Sequence, residues 1–172
     1  MSNLSVQLNV SIVMGSKSDL RVMQSASEFL VEMAIAHEID IISAHRTPRR
    51  LHDYAESLID RGIDVVIAGA GGAAHLPGMI ASMTVVPVIG VPVATTKLAG
   101  IDSLLSIVQM PTGVPVATMA VDNAKNAAIF AAQIIAVREP DVRAKLIAYK
   151  HSLEELVEAA ARETTRTIYP KI

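Results

Sequence analysis

Between Asp64 and Asp102 the only formally charged side chain is Lys97, and the interval holds two apolar runs, residues 65–67 and 87–91. Strands that read as unbroken Val and Ile, rather than alternating with polar residues, belong to sheets covered on both faces. Such sheets are parallel, and each parallel pair needs a crossover helix. The rest of the chain supplies the alternation: strands are expected at 10–14, 37–43, 65–70, 87–91 and 116–120. Helices are expected after the first strand to about residue 33, then at 48–61, 74–82, 101–108 and 123–137. Ser18 is the expected N-cap of the first helix, and Thr47-Pro48 supplies an N-cap and an N1 proline for the second, with Gly62 just past its end. The expected fold is a three-layer α/β/α, flavodoxin-like domain with a five-stranded parallel sheet.

One domain accounts for 172 residues, with the α/β core over 10–137 and a helical arm over 141–164. Residues are 51% hydrophobic but only 3% aromatic, with no Trp, so the core is built from small aliphatic side chains. In the helix at 123–137 the residues Ala124, Ala127, Ala128, Ala131, Ala132 and Ala136 invite close approach by a neighbour. The arm carries Val142, Leu146, Tyr149, Leu153, Leu156 and Ala160 at steps of four and three, a stripe that needs a groove on its own or a neighbouring subunit. That stripe and the uncharged middle of the chain point to a homo-oligomer. No run reaches the ~20 apolar residues of a membrane span. Net charge is −2 without a basic block, which excludes a nucleic-acid footprint. The absence of cysteine excludes disulfides, thiolate nucleophiles and cysteine-ligated metals. The first fifteen residues lack the basic start of a signal peptide, and a cytoplasmic location is expected.

Ligands of open parallel sheets bind at the carboxyl ends of the strands, near the point where strand order reverses. The loops concerned are 15–19, 43–46, 69–78 and 92–97. The third holds four glycines around His75, more than a tight turn needs, and reads as backbone that a ligand approaches closely. Residues 69–74 satisfy G-x-G-x-x-G/A, but no acid follows before Asp102 and the motif sits on the third strand, so a dinucleotide site is not supported. A P-loop also fails, since Gly15-Ser16-Lys17-Ser18 lacks the preceding glycine. Those residues still suit a monophosphate: amides at a helix start favour an anion, and Ser16 and Ser18 add hydroxyls. Arg46 is placed to close on the same phosphate, and Asp19 suits a ribose diol. Of five histidines, His37 begins a strand at the opposite end of the sheet and His52 and His151 fall within helices. His45 and His75 remain, without the spacing of a metal site. Acid/base chemistry by a single histidine is the chemistry these residues support best.

Residues 15–19 (Gly-Ser-Lys-Ser-Asp), 43–48 (Ser-Ala-His-Arg-Thr-Pro), 68–81 and 106–111 (Ser-Ile-Val-Gln-Met-Pro) closely resemble the motifs of the PurE family of purine biosynthesis, in order, across 10–137. The similarity is to its class I branch, which moves a carboxylate from the exocyclic nitrogen of an aminoimidazole ribonucleotide to carbon 4. The resemblance implies no metal, ATP or biotin, a small ribonucleotide substrate and a homo-octamer. It implies that Ser16, Ser18 and Arg46 take the phosphate, Asp19 the ribose, and His45 both proton transfers. Ser43, Gly71, Gly72, His75 and Leu76 are then expected around the imidazole and its carboxylate. The chain departs from the pattern at Asp122, where many relatives have Gly, and at Ala94-Thr95, where they have Gln-Ser. Two other readings stay open on the residues alone: the class II reaction, direct carboxylation by CO2, and a non-catalytic phosphate-binding module that has no need of His45.

Overall fold

A computed structural model describes residues 9–95 and 97–166. Residues 1–8, within the stretch on which the absence of a signal peptide was argued, lie outside it, as do Thr96 and residues 167–172. The strands are β1 (Val10–Met14), β2 (His37–Ile41), β3 (Val65–Gly71), β4 (Val88–Val93) and β5 (Ala117–Thr118). A 3-10 turn (Lys17–Asp19) leads into α1 (Leu20–Glu32), followed by α2 (Pro48–Asp60), α3 (Leu76–Ala81), α4 (Ile101–Val108), α5 (Ala124–Ile135) and α6 (Pro140–Thr164). All strand pairs are parallel, in the order β2-β1-β3-β4-β5, the flavodoxin-like arrangement whose switch point lies between β1 and β3.

Alternate residues of each central strand feed two cores. Ile12, Met14, Ile67 and Ile89 pack with Phe29 of α1 and the alanine face of α5, while Val13, Val66 and Ala68 pack with Leu51, Leu58, Ile80 and Ile107 of α2, α3 and α4. Every residue of β4, and all of β3 except Gly71, is buried, as the missing charges require. Ala127, Ala128, Ala131 and Ala132 have no exposed surface, and α5 lies close along α1. Within β1 the one polar residue, Ser11, is fully buried and satisfied: it accepts from the Tyr54 hydroxyl at 2.7 Å and donates to Glu38 at 2.7 Å.

Four expectations change in detail. Ser18 does not cap α1: Asp19 stands at its N-cap without a side-chain cap bond, and Ser16 caps the preceding 3-10 turn, its Oγ accepting from the Ser18 amide at 3.4 Å. Strand β4 runs two residues further than expected, through Pro92. Proline fits there because the main-chain groups of Gly90 and Pro92 face the β5 edge, where the ladder ends at Thr118 and no strand asks for the missing N–H. Strand β5 is shorter than expected, since Pro115 removes a donor at its start and only Ala117 and Thr118 pair with β4. The stripe of α6 is used in its first half only. Leu146 is buried and Tyr149 meets Phe29 edge-on at 5.0 Å, with Lys125 Nζ within 5.6 Å of both rings. Arg143 donates to the Ala136 and Val137 carbonyls and Lys145 to the Met33 carbonyl, so the helix ends of α5 and α1 gain partners from α6. Leu153 and Leu156, further along, stand 39% and 66% exposed.

Candidate active site

The loops after β1, β2 and β3 meet over the switch point and enclose a cleft of about 420 Å³. Ser16, Ser18 and Asp19 come from the first loop, Ser43, His45 and Arg46 from the second, and Gly71, His75 and Leu76 from the third. Each strand ends at nearly the same level because β1 registers with both neighbours from Val10 onward, so the three loops leave the sheet together.

At one end Ser16 holds an extended backbone (φ −155°, ψ 154°), and its Oγ receives the Ser18 hydroxyl at 3.0 Å. Arg46 is folded across from the second loop: its Nε donates to Ser43 Oγ at 3.1 Å and an Nη to the Gly15 carbonyl at 3.3 Å. Thr47 fixes that loop in turn, donating from Oγ1 to the Ser43 carbonyl and accepting from the Ser43 amide. A cation, two hydroxyls and the start of a helical turn thus converge, which is the chemistry of a phosphate site. Asp19 is buried at the floor, and burial pushes its carboxyl above the usual 3.8 against the opposing pull of Ser18, the Ser16 amide, Arg21 and Arg46.

At the other end His45 and His75 share a hydrogen bond between Nε2 and Nδ1 at 2.8 Å, their rings nearly perpendicular with centroids 4.9 Å apart. His75 is set by the short turn into α3, where its carbonyl accepts from the Met79 amide at 2.9 Å. Gly71 is glycine for want of space: a Cβ there would lie 2.7 Å from Thr95 Cγ2 and 3.1 Å from the Val93 carbonyl oxygen. Gly72, with φ +68°, follows Gly71 in the same loop. Its amide donates to the fully buried Ser103 Oγ at 2.8 Å, and Ser103 passes its own hydrogen to the Val93 carbonyl at 2.7 Å. Ser106 donates chiefly to the Asp102 carbonyl of its own helix at 2.7 Å, with the Gly72 carbonyl a second, longer contact at 3.3 Å. The amide of Gly72 is therefore committed to shaping the loop. Among the described residues no group of three His, Asp or Glu side chains is arranged around a common point for a metal ion, and no helix is long and apolar enough to cross a membrane.

The family model described as AIR carboxylase matches residues 9–156. The chain belongs to the AIR carboxylase family. Among curated proteins it is 57% identical over 153 residues to the N5-carboxyaminoimidazole ribonucleotide mutase of Pyrococcus horikoshii, covering 89% of this chain and 86% of that one. It is 58% identical over 154 residues to the protein of the same name from Thermotoga maritima, covering 89% and 90%. Among solved structures, Treponema denticola PurE superposes with a TM-score of 0.83 at 26% identity, over 91% of this chain and 98% of that one.

In this AIR carboxylase family chain, nine of the ten candidate site residues lie on the wall of the cleft, and the tenth, Gly72, is next to Gly71 with its amide bonded to Ser103. Sequence reasoning missed Thr95, which also lines the cleft, and Ser103 and Ser106, which brace the glycine loop. The signal for the serines was their spacing of three on one face of α4, inside an otherwise apolar helix.

Proposed function

We propose that the protein is an N5-carboxyaminoimidazole ribonucleotide mutase of purine biosynthesis, converting N5-CAIR to 4-carboxyaminoimidazole ribonucleotide (CAIR) without a cofactor. The observation that carries this reading is the His45–His75 pair, 2.8 Å apart, in the same cleft as the Ser16–Arg46 anion site. The names borne by relatives at 57% and 58% identity support it.

In this reading Ser16, Ser18 and Arg46 hold the ribose phosphate and Asp19 the ribose. His45 acts first as acid, giving its proton to the carbamate nitrogen as the nitrogen–carbon bond breaks and its electron pair stays on nitrogen. Carbon dioxide and the aminoimidazole remain in the cleft. Carbon 4 then attacks the CO2 carbon, and His45, now a base, removes the carbon-4 proton and restores the aromatic ring. One imidazole serves both steps because the second returns the proton that the first supplied. His75 orients His45 throughout. Ser43 and Leu76 flank the imidazole, and the wall made by Gly71 and Thr95 sets no competing charge beside the carboxylate as it migrates. Gly72, next in the same loop, belongs to that wall in this reading.

The enzyme is read as a cytoplasmic homo-octamer. Support for association comes from Leu98, Ile101 and Leu105, more than half exposed at and beside α4, and from the unpacked half of α6. Sedimentation velocity showing a stable monomer at micromolar concentration would contradict it. The reaction itself is tested by offering the protein N5-CAIR and, separately, aminoimidazole ribonucleotide with CO2. Turnover of the first is expected; efficient turnover of the second alone would assign the class II reaction, and turnover of neither would favour a binding module.

A further inference from the structure

The sheet is incomplete along the edge of β4 that faces β5. Strand β5 pairs with β4 only at Ala117 and Thr118, after which the Met119 amide donates to the Gly90 carbonyl at 2.9 Å and the ladder stops. Beyond it, Pro92 and Ala94 present main-chain groups to the same edge at the strand's period of two. Asp122 meets both. Its amide donates to the Pro92 carbonyl at 2.8 Å, and its Oδ1 accepts from the Ala94 amide at 2.8 Å, a carboxylate standing where a strand carbonyl would be. From α1, Arg21 donates to the Ala94 carbonyl at 2.8 Å and lies 3.9 Å from Asp122 Oδ2. Both polar groups of the Ala94 main chain are thus held by side chains from two distant elements.

Global stability does not account for this arrangement. Asp122 adopts φ +57°, a left-handed backbone that Asp tolerates better than most L-residues but that glycine adopts at less cost. The Arg21–Asp122 pair is solvent-exposed, 59% and 36%, and such pairs contribute little. What the arrangement does determine is the next residue. Thr95 packs its Cγ2 into the space that a Cβ on Gly71 would need, and it lines the cleft beside the histidines. It also lines an adjoining recess of about 420 Å³ with Ser18, Asp19, Arg21, Val93 and Ala94. Since Asp19 is shared by both spaces, Thr95 borders the ribose side of the cleft.

We propose that Arg21 and Asp122 clamp Ala94 and thereby fix the Thr95 wall of the ribonucleotide cleft, making them positioning residues for substrate binding. The assignment rests on the mutase reading for the identity of the ligand and deepens it by naming what sets one wall of the site. Neither side chain touches the reacting atoms.

The test uses the full chain carrying Asp122→Gly, Asp122→Asn or Arg21→Ala. Asp122→Gly relieves the strained backbone while deleting the Ala94 contact, so its melting temperature stays within about 3 °C of wild type or rises. Its KM for N5-CAIR increases roughly tenfold with kcat changed less than about threefold, as expected for lost positioning of a binding wall. Asp122→Asn keeps an oxygen acceptor for the Ala94 amide and tolerates the same backbone, so it recovers most of the KM. Arg21→Ala, which leaves Asp122 in place, raises KM about threefold and serves if the glycine variant does not fold. Hydrogen exchange at the Ala94 amide gives a readout without turnover: about tenfold faster in Asp122→Gly and near wild type in Asp122→Asn. A wild-type KM in Asp122→Gly, an equal KM defect in Asp122→Asn, or unaltered exchange at Ala94 would overturn the clamp. Failure of the wild-type protein to convert N5-CAIR would instead overturn the mutase reading, while the exchange comparison, repeated with ribose 5-phosphate bound, still decides the clamp.

Discussion

His45 Nε2 and His75 Nδ1 lie 2.8 Å apart although the residues stand on loops after β2 and β3, strands that β1 separates. The contact exists because both loops lean over the end of β1, and it binds the two imidazoles into one unit in which one nitrogen donates and the other accepts. In the proposed mechanism His75 uses this contact to orient His45 and has no need to exchange protons with the substrate.

His45→Asn keeps a polar side chain of similar reach but cannot cycle a proton. Turnover of N5-CAIR should fall by about 10² to 10⁴, the range for a lost general acid/base, or further because the same group serves two steps. Affinity for the product CAIR, measured by calorimetry, should stay within about threefold, since the phosphate end is untouched. Unchanged turnover would remove His45 from the chemistry.

Asp19 exposes a conflict between stability and binding. Burial raises its carboxyl above the usual 3.8, so the folded state holds the proton more tightly than the unfolded one. Stability from this group is greatest below about pH 3.8, declines as pH rises to the folded-state value, and is flat above it. Asp19→Asn is neutral at every pH, so it should melt higher than wild type at pH 7, with the difference vanishing toward pH 3.8. The same variant should raise KM for N5-CAIR about three- to tenfold by weakening a hydrogen bond to the ribose. Thermal melts across pH, paired with kinetics at pH 7, check both halves; a variant less stable at neutral pH would contradict the account.

Much of this was legible in the residues themselves. Uncharged Val and Ile runs can only be satisfied between two helical layers, and the loops after such strands hold the ligand wherever the strand order reverses. That Ser16, His45, Arg46 and His75 would meet at one cleft was therefore readable from position and type. The illegible parts depend on partners far along the chain. Nothing local tells that Gly72 spends its amide on Ser103, or that Thr95 fills the space left by Gly71. Ser18 is a good cap by type, but the intervening 3-10 turn, capped by Ser16 whose extended backbone turns Oγ toward the Ser18 amide, puts Asp19 at the start of α1 instead. Strand β5 looked longer than it is because its apolar residues pack without pairing: Val116 lies against the position of a Cβ on Gly90.

Gly90 tests the closeness of that packing. A Cβ there would lie 2.5 Å from Ile107 Cγ2 and 2.9 Å from Val116 Cγ1, both on β-branched side chains with little freedom to turn. Gly90→Ala should destabilise the fold by about 1–3 kcal/mol in denaturant melts. Gly69→Ala would run into Met23 Sδ, but the thioether chain is unbranched and can rotate away, so its cost should be smaller. An equal or reversed order would show that the two helical layers yield differently from the way these contacts imply.

The most direct measurement follows the carboxylate itself. N5-CAIR labelled with 13C in its carbamate carboxylate is converted by the wild-type protein in buffer containing unlabelled bicarbonate, and the label in CAIR is read by NMR. A mutase that releases CO2 inside the cleft and recaptures it there gives product that retains most of the label. Product whose carboxylate matches the bulk bicarbonate pool would contradict the account, because the carbon would then have come from solution.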